Sequence, residues 1–441
     1  MNEAVGDPAA AHPASSVPAA APAHDTADRA AEAAPAHGTA AWFVPGRVEV
    51  LGKHTDYAGG RSLLAAVDRG HTVRAAARPD DLLRVTSTIA RETIDVRLTP
   101  DGAQLDGDHG AGHWSGYVRT VVDRLTANFP GALRGADMVI DSDLPLAAGM
   151  SSSSALVVGL SLALMDLGGI TDSDALAAEV TDRESLSEYL GTVENGQSYG
   201  SLAGHKGVGT FGGSEDHTAM LCGQAGRLLQ YAFCPVRRED STPFPAGKKL
   251  VVAVSGVEAQ KTGAAMERYN RVSLSAREII GRWNEATGRD DRTLGDAARS
   301  HPEAHDRLRS LVTGDEYLEG RLDQFLAESE RLIPAATAAL HAGDLAAFGA
   351  LVDESQRLAE SGLGNQVPET IRLQRLARER GADAASAFGA GFGGSVWAMI
   401  DADAANTFAR YWLDAYASEF PQTGNAATWL VTEPGAAAHR V

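Results

Sequence analysis

The chain has 441 residues, 44% hydrophobic and 22% charged, which predicts two or three globular domains. Its 39 Lys and Arg against 58 Asp and Glu leave a net charge of −19, which argues against nucleic-acid partners and anionic membranes, since both need a basic face. Apolar runs stay short of the ~18 residues of a membrane span. Cys222 and Cys234 form no CxxC pair, and the first basic residue is Arg29, too late for a signal peptide, so a cytoplasmic protein is expected.

Residues 1–40 hold 16 Ala and 5 Pro but no Leu, Ile, Phe, Tyr or Trp. Such a segment buries too little apolar surface to offset its ordering entropy, so a disordered tail is expected. His12, His24 and His37 are spaced too widely in it for a metal site. Alternation at Val48 and Val50, and over 93–98, predicts strands. Helical spacing of Val118, Val121, Val122 and Leu125 predicts a helix over 114–129, followed by a strand at 136–141. A helix is expected over 152–167, with Leu156, Leu160, Leu164 and Leu167 on one face, and another over 173–190. A Gly-rich stretch, 191–226, comes next, and 235–247 reads as a linker. The second half reads as helices near 264–287, 318–341, 344–360 and 368–380. A Gly loop, a strand at 395–400, a helix near 402–419 and a strand near 428–432 close the chain. Two α+β lobes are expected, 41–235 and 248–441.

Three loops and one acid carry chemistry. In PGRVEVLGKHTDYAGG (45–60) a strand runs into Lys53, His54, Asp56 and Tyr57, polar groups that suit a small polar ligand better than a core. In SDLPLAAGMSSSSALVV (142–158) a Pro/Gly loop and four serines open an apolar helix. The unpaired amides of a helix N-terminus form an anion site, and Gly149 and Ser151 to Ser154 let backbone approach a phosphate. In FGAGFGGSVWAMI (388–400), Gly389, Gly391 and Gly394 match GxGxxG, with Gly393 between them. A strand, not a helix, follows, so a dinucleotide fold does not fit; a protein kinase does not fit either, because 45 residues follow Val396 and no HRD or DFG motif occurs. GxxxxGK[ST] is missing, which sets aside a Walker NTPase, and Ser-His-Asp hydrolase chemistry is a poorer fit to these loops. Glu215-Asp216-His217 follows two glycines, where an acid could accept a hydroxyl proton.

Taken in order, these segments resemble the GHMP small-molecule kinases, in their galactokinase branch. GRVEVLGKHTDYAGG is similar to the galactokinase signature, DLPLAAGMSSSSAL to the loop that wraps the ATP phosphates, and GAGFGGSV to the third motif, while WSGYVRTV (114–121) is similar to the segment beside the adenine. The resemblance covers 42–441. It implies the two-lobed GHMP fold: an N-terminal lobe like domain 2 of ribosomal protein S5 and a ferredoxin-like C-terminal lobe. It implies an ATP- and Mg²⁺-dependent sugar kinase, monomeric, with only small-molecule partners. Asp216 would be the catalytic acid-base, with Arg47 beside it. Ser153 and Glu194 would hold Mg²⁺, and Ser151 to Ser154 with Gly149 and Trp114 would bind ATP. Lys53, His54, Asp56 and Tyr269 would face the sugar, and Gly389, Gly391, Gly393 and Gly394 would form a structural loop.

The chain also departs from that pattern. Lys53 stands where Glu is usual, Ala147 where Gly is usual, Ser154 where Ala is usual, and Ser386-Ala387-Phe388 where Arg-Met-Thr is usual. A carboxylate only accepts hydrogen bonds and an ammonium only donates. The reversal at Lys53 therefore leaves galactose, another sugar and a sugar acid open as acceptors. A galactokinase-like sensor without turnover, and a kinase of a non-sugar alcohol, are the remaining alternatives.

Overall fold

The computed structural model describes residues 38–107, 109–110, 112–144, 149–257 and 263–441; the tail with His12, His24 and His37, and Ala147, lie outside the described residues. Two long strands, β1 (Thr39–Leu51) and β2 (Arg61–Ala77), pair antiparallel from Thr39 opposite Ala76 to Leu51 opposite Leu63. β1 begins ahead of Trp42 because Thr39 to Ala41 pair through their main chain, which asks nothing of their small side chains. Along this pair, Val44, Leu64 and Val73 face one core, and Val48, Val50, Leu63 and Ala65 face a second. The pair is thus shared by both lobes.

β3 (Leu82–Ser87), β4 (Glu92–Thr99), β5 (Gly102–Leu105) and β6 (Ala136–Ser142) extend the sheet in the order β1-β2-β6-β3-β4-β5. β3 runs parallel to β6; the other pairings are antiparallel. The hairpin of β7 (Arg227–Ala232) and β8 (Arg237–Pro243) joins β2. The stretch expected as a linker therefore contains a strand, and it pairs rather than spans. The helices Ser115–Asn128, Ser152–Leu167, Arg183–Asn195 and Glu215–Cys222 pack on this sheet through Val121, Val157, Leu190 and Met220. The helix expected over 173–190 is broken instead into Asp174–Ala177 and Arg183–Asn195. The Asp182 carboxylate accepts from the Ser185 amide and starts a new N-terminus.

The second sheet holds β9 (Lys248–Val254), β10 (Ala384–Phe388), β11 (Ser395–Asp401) and β12 (Thr428–Thr432), all antiparallel, in the order β10-β11-β9-β12. Helical connections lie between β9 and β10 and between β11 and β12, which is the ferredoxin-like βαββαβ arrangement. The helices Pro368–Glu379 and Ala405–Glu419 cover one face through Leu373 and Trp412. The helices Ile333–His341 and Leu345–Leu358 cover the other, against β1 and β2. A last strand, β13 (His439–Arg440), returns to pair with β1.

The helix expected over 318–341 runs as Glu316–Ala327 and Ile333–His341, joined by a π turn at Glu328–Leu332. Pro334 lacks the N–H that the ordinary ladder needs, and the wider turn absorbs the gap. That turn points Glu328 and Ser329 at the first loop: Glu328 Oε1 accepts from the Gly52 amide (2.8 Å), and Ser329 Oγ from the Arg61 amide (3.2 Å). Among the described residues no helix is long and apolar enough to cross a membrane.

Candidate active site

Alternation on β1 buries Val48 and Val50 in the core and turns Arg47 and Glu49 to the other face. That face is the floor of a cleft of about 580 Å³. The helix Glu215–Cys222 brings Asp216 over the same floor from its first turn. The stretch read in the sequence only as Gly-rich, 191–226, thus holds a short helix. Arg47 Nε donates to Asp216 Oδ1 at 2.6 Å, and Arg47 Nη1 donates to the Gly149 carbonyl at 2.6 Å. One buried guanidinium therefore ties the acid to the serine loop.

The helix Ser152–Leu167 contributes Ser154, which is 1% exposed. Its Oγ donates to Glu194 Oε2 at 2.8 Å and lies 3.3 Å from Asp216 Oδ2. Ser153, the residue expected beside the metal carboxylate, instead meets the Tyr117 hydroxyl. Successive helical side chains point about 100° apart, so one turn offers one hydroxyl to each neighbour. Ser151 sits in the left-handed region (φ 57°) at the start of this helix, and the Ser152 carbonyl accepts from His71 Nε2 at 2.9 Å. Trp114 precedes the helix Ser115–Asn128 and donates its indole N–H to Glu92 Oε2 at 2.7 Å; it does not line the cleft.

The first loop supplies Asp56, His54 and Tyr57 to the cleft. Asp56 Oδ2 accepts from the Glu215 amide at 3.2 Å. A Cβ on Gly213 would come within 2.4 Å of that same oxygen, which accounts for a glycine ahead of the acid. His54 Nε2 meets the Ala390 carbonyl at 3.1 Å, so it carries the proton, and Nδ1 accepts from the Tyr57 hydroxyl at 2.9 Å. Tyr269 packs its ring 5.4 Å from the His54 ring and also lines the cleft. The third loop closes the site: Gly389, Gly391, Gly393 and Gly394 all have positive φ, and a Cβ on Gly389 would lie 3.1 Å from the Gly149 carbonyl.

Lys53 does not join this group. It is 1% exposed, and its ammonium donates to Ser355 Oγ at 3.0 Å, outside the cleft. The charge reversal in the signature is thus absorbed inside the protein, beside Glu328.

Among the described lining residues, Arg47 is the permanent cation that faces five carboxyl groups: Glu49, Asp56, Glu194, Glu215 and Asp216. Burial works against the Arg47 charge, but Asp216, Glu215 and Glu49 hold its pKa above the ordinary value. Burial pushes Glu49 up to about 7 despite Lys53 and Arg47. Burial and then the neighbouring carboxylates push Glu215 well above the usual range, and burial raises Asp56 and the Tyr269 hydroxyl. Glu49 and Glu215 were missed in the sequence. The period-2 alternation from Arg47 to Glu49 was the available signal for the first.

Beside His217 Nε2, which lies 3.2 Å from Glu194 Oε2, three oxygen donors converge at one end of the cleft, from Ser154, Glu194 and Asp216. Such a set suits a hard dication such as Mg²⁺.

Family models agree with the order of the segments. The galactokinase galactose-binding signature matches residues 32–78, the GHMP kinases N terminal domain 116–223, and the GHMP kinases C terminal model 336–418. Galactokinase of Chloroflexus aggregans is 31% identical over 406 residues, covering 89% of this chain and 91% of the relative. Galactokinase of Glaesserella parasuis is 27% identical over 395 residues, with 88% and 91% covered. The structure of Lactococcus lactis galactokinase complexed with galactose matches with a TM-score of 0.74 at 24% identity, covering 92% of this chain and 96% of that one. A mevalonate kinase from Methanococcus jannaschii shares the fold at a TM-score of 0.55 and 13% identity, over 91% and 100% of the two chains.

Proposed function

This chain belongs to the GHMP kinases, in their galactokinase branch, and from that premise we propose that it transfers the γ-phosphate of ATP to a sugar hydroxyl, with galactose as the acceptor. The observation that carries this reading is the Arg47–Asp216 pair at 2.6 Å, joined through Ser154 to Glu194 at the foot of the serine-opened helix. Arg47 comes from a segment 169 residues before Asp216 and 102 before Gly149.

Phosphoryl transfer asks for positioning and charge stabilisation more than covalent catalysis. The sugar oxygen bonds to the γ-phosphorus as the bond from that phosphorus to the bridging oxygen of ADP breaks. The hydroxyl proton passes to Asp216. Arg47 fixes the carboxylate and balances charge on the transferring group. Gly149 and Ser151 to Ser153 cradle the phosphates. Glu194 and Ser154 would hold Mg²⁺, which supplies charge neutralisation between the β- and γ-phosphates. Asp56 accepts from a sugar hydroxyl, while His54 and Tyr269 frame the ring.

The position of Lys53 speaks against a sugar acid, because the ammonium that would pair with a second carboxylate lies on Ser355. The test is ADP release from ATP and Mg²⁺ with galactose, pentoses and uronic acids. Galactose should stimulate release and uronates should not. If no sugar stimulates release from folded protein, the proposal fails.

A further inference from the structure

Away from the cleft, two histidines and a carboxylate meet at the edge of the first sheet. Glu92 opens β4, and His109 and His113 precede the helix Ser115–Asn128. We propose that Glu92, His109 and His113 form a binding site for a transition-metal dication of the zinc class, separate from the Mg²⁺ cluster and independent of the kinase reading.

The geometry is close to a ligand set. One ligand atom from each residue lies within 4.8 Å of the other two. His113 Nε2 is 2.9 Å from Glu92 Oε2, and His109 Nδ1 is 3.8 Å from Glu92 Oε1. Tetrahedral zinc with nitrogen and oxygen ligands at ~2.0–2.1 Å sets neighbouring ligands roughly 3.3 Å apart. Movements of about 1.5 Å or less therefore complete three corners, and solvent completes the fourth.

The far side of each ring is engaged, and that of His109 already donates as a metal-bound imidazole does. His109 Nε2 meets the Asp106 carbonyl at 3.0 Å. A carbonyl only accepts, so Nε2 holds the proton and Nδ1 presents its lone pair. His113 Nδ1 accepts from the Ser115 amide at 3.3 Å and lies 2.8 Å from Ser115 Oγ, so without an ion Nε2 carries the proton toward Glu92; metal binding displaces that proton from Nε2, and Ser115 Oγ is the acceptor on hand for Nδ1–H in the bound tautomer. The two rings stack with centroids 4.8 Å apart and 16° between planes, so both edges face the same carboxylate. Trp114 Nε1 donates to Glu92 Oε2 at 2.7 Å and orients it. All three ligands are partly exposed, with side chains 20% (His109), 28% (His113) and 35% (Glu92) accessible, so an ion can enter from solvent.

Two imidazoles and one carboxylate select zinc, nickel or copper over magnesium and calcium, which prefer all-oxygen sets. Because Glu92 serves both the ion and the Trp114 indole, occupancy must change the surroundings of that ring.

The experiment uses the full chain, stripped of metal with a chelator and titrated with Zn²⁺ alone. Calorimetry gives stoichiometry, and tryptophan emission reports on Trp114. One equivalent should bind with a change in emission, and excess Mg²⁺ should not displace it. His109→Ala/His113→Ala should weaken that binding by about 10–100-fold or more, the loss typical of disrupted metal sites. Glu92→Gln, a conservative exposed change, should weaken it too, and far-UV circular dichroism checks that each variant folds. A control with His12, His24 and His37 replaced by Ala should bind as the parent does. Binding that survives in the double His variant, that disappears with the tail histidines, or that Mg²⁺ displaces would overturn the proposal. So would a parent protein that takes up no Zn²⁺.

Discussion

Lys53 separates two views of the signature loop. If it touched the acceptor, replacing it would raise the sugar KM and leave stability alone. In the structure its ammonium donates to Ser355 Oγ at 3.0 Å, and that hydroxyl donates to Glu328 Oε1 at 2.9 Å. Glu328 is 0% exposed, and its Oε2 has no hydrogen-bond partner among the described residues. Lys53 is then the cation that balances a buried carboxylate. Lys53→Met keeps the side-chain volume and strands Glu328. Breaking a buried pair at one end costs about 3–5 kcal/mol. In a folded unit of this size that corresponds to a fall in Tm of roughly 4–6 °C. Adding Glu328→Gln removes the stranded charge, so the double variant should regain most of the loss. The assay is thermal unfolding by circular dichroism of the parent, both single variants and the double variant, with sugar KM measured below the transition. An unchanged Tm together with a raised sugar KM for Lys53→Met would refute the placement.

Three further outcomes follow from the cleft. Asp216→Asn keeps an oxygen for Arg47 but no base, so kcat should fall by ~10²–10⁴-fold while ATP still binds in calorimetry. A loss of less than tenfold would remove Asp216 as the proton acceptor. Ser154→Ala should raise the Mg²⁺ concentration for half-maximal rate on the order of 10-fold, and Ser153→Ala should raise it less. The reverse order would hand the metal to Ser153. Burial lifts Glu49 from 4.5 to about 7, so the folded chain keeps a proton that the unfolded chain releases. Stability should therefore decline as pH rises from about 4.5 to about 7, by roughly 3 kcal/mol, and then level off. Glu49→Gln cannot ionise and should lose that part of the slope, which parallel Tm curves for the two proteins between pH 5 and 8 would contradict.

Helices and strands with a strong period were legible in the sequence. The helix Ser152–Leu167 and β12 (Thr428–Thr432) fall where spacing put them. β9 and β10 were not, because the short runs KKLVVAV and AASAF do not separate a buried strand from a buried helix. The helix at Asp216 was hidden by the glycines that Asp56 and Tyr269 require for close approach. At the site, motifs located the loops but not the direction of each side chain. Lys53 sits between His54 and Gly52 in sequence, yet its partner Ser355 is 302 residues away. Ser153 and Ser154 look interchangeable in a run of four serines until the helix assigns one to Tyr117 and the other to Glu194.

Arg47 explains why motifs so far apart must all be present. Its Nε serves Asp216, its Nη1 serves the Gly149 carbonyl, and its guanidinium lies 5.7 Å from the Phe388 ring at the start of the third loop. A planar fork with fixed donors can hold an acid and a carbonyl at a set angle while stacking on a ring; a lysine, with a single point of charge, cannot do all three. The surrounding carboxyls keep that guanidinium charged despite burial, since their attraction outweighs the desolvation that works against it. The placing of the acid, the serine loop and the third loop relative to one another therefore arises from one cluster centred on Arg47.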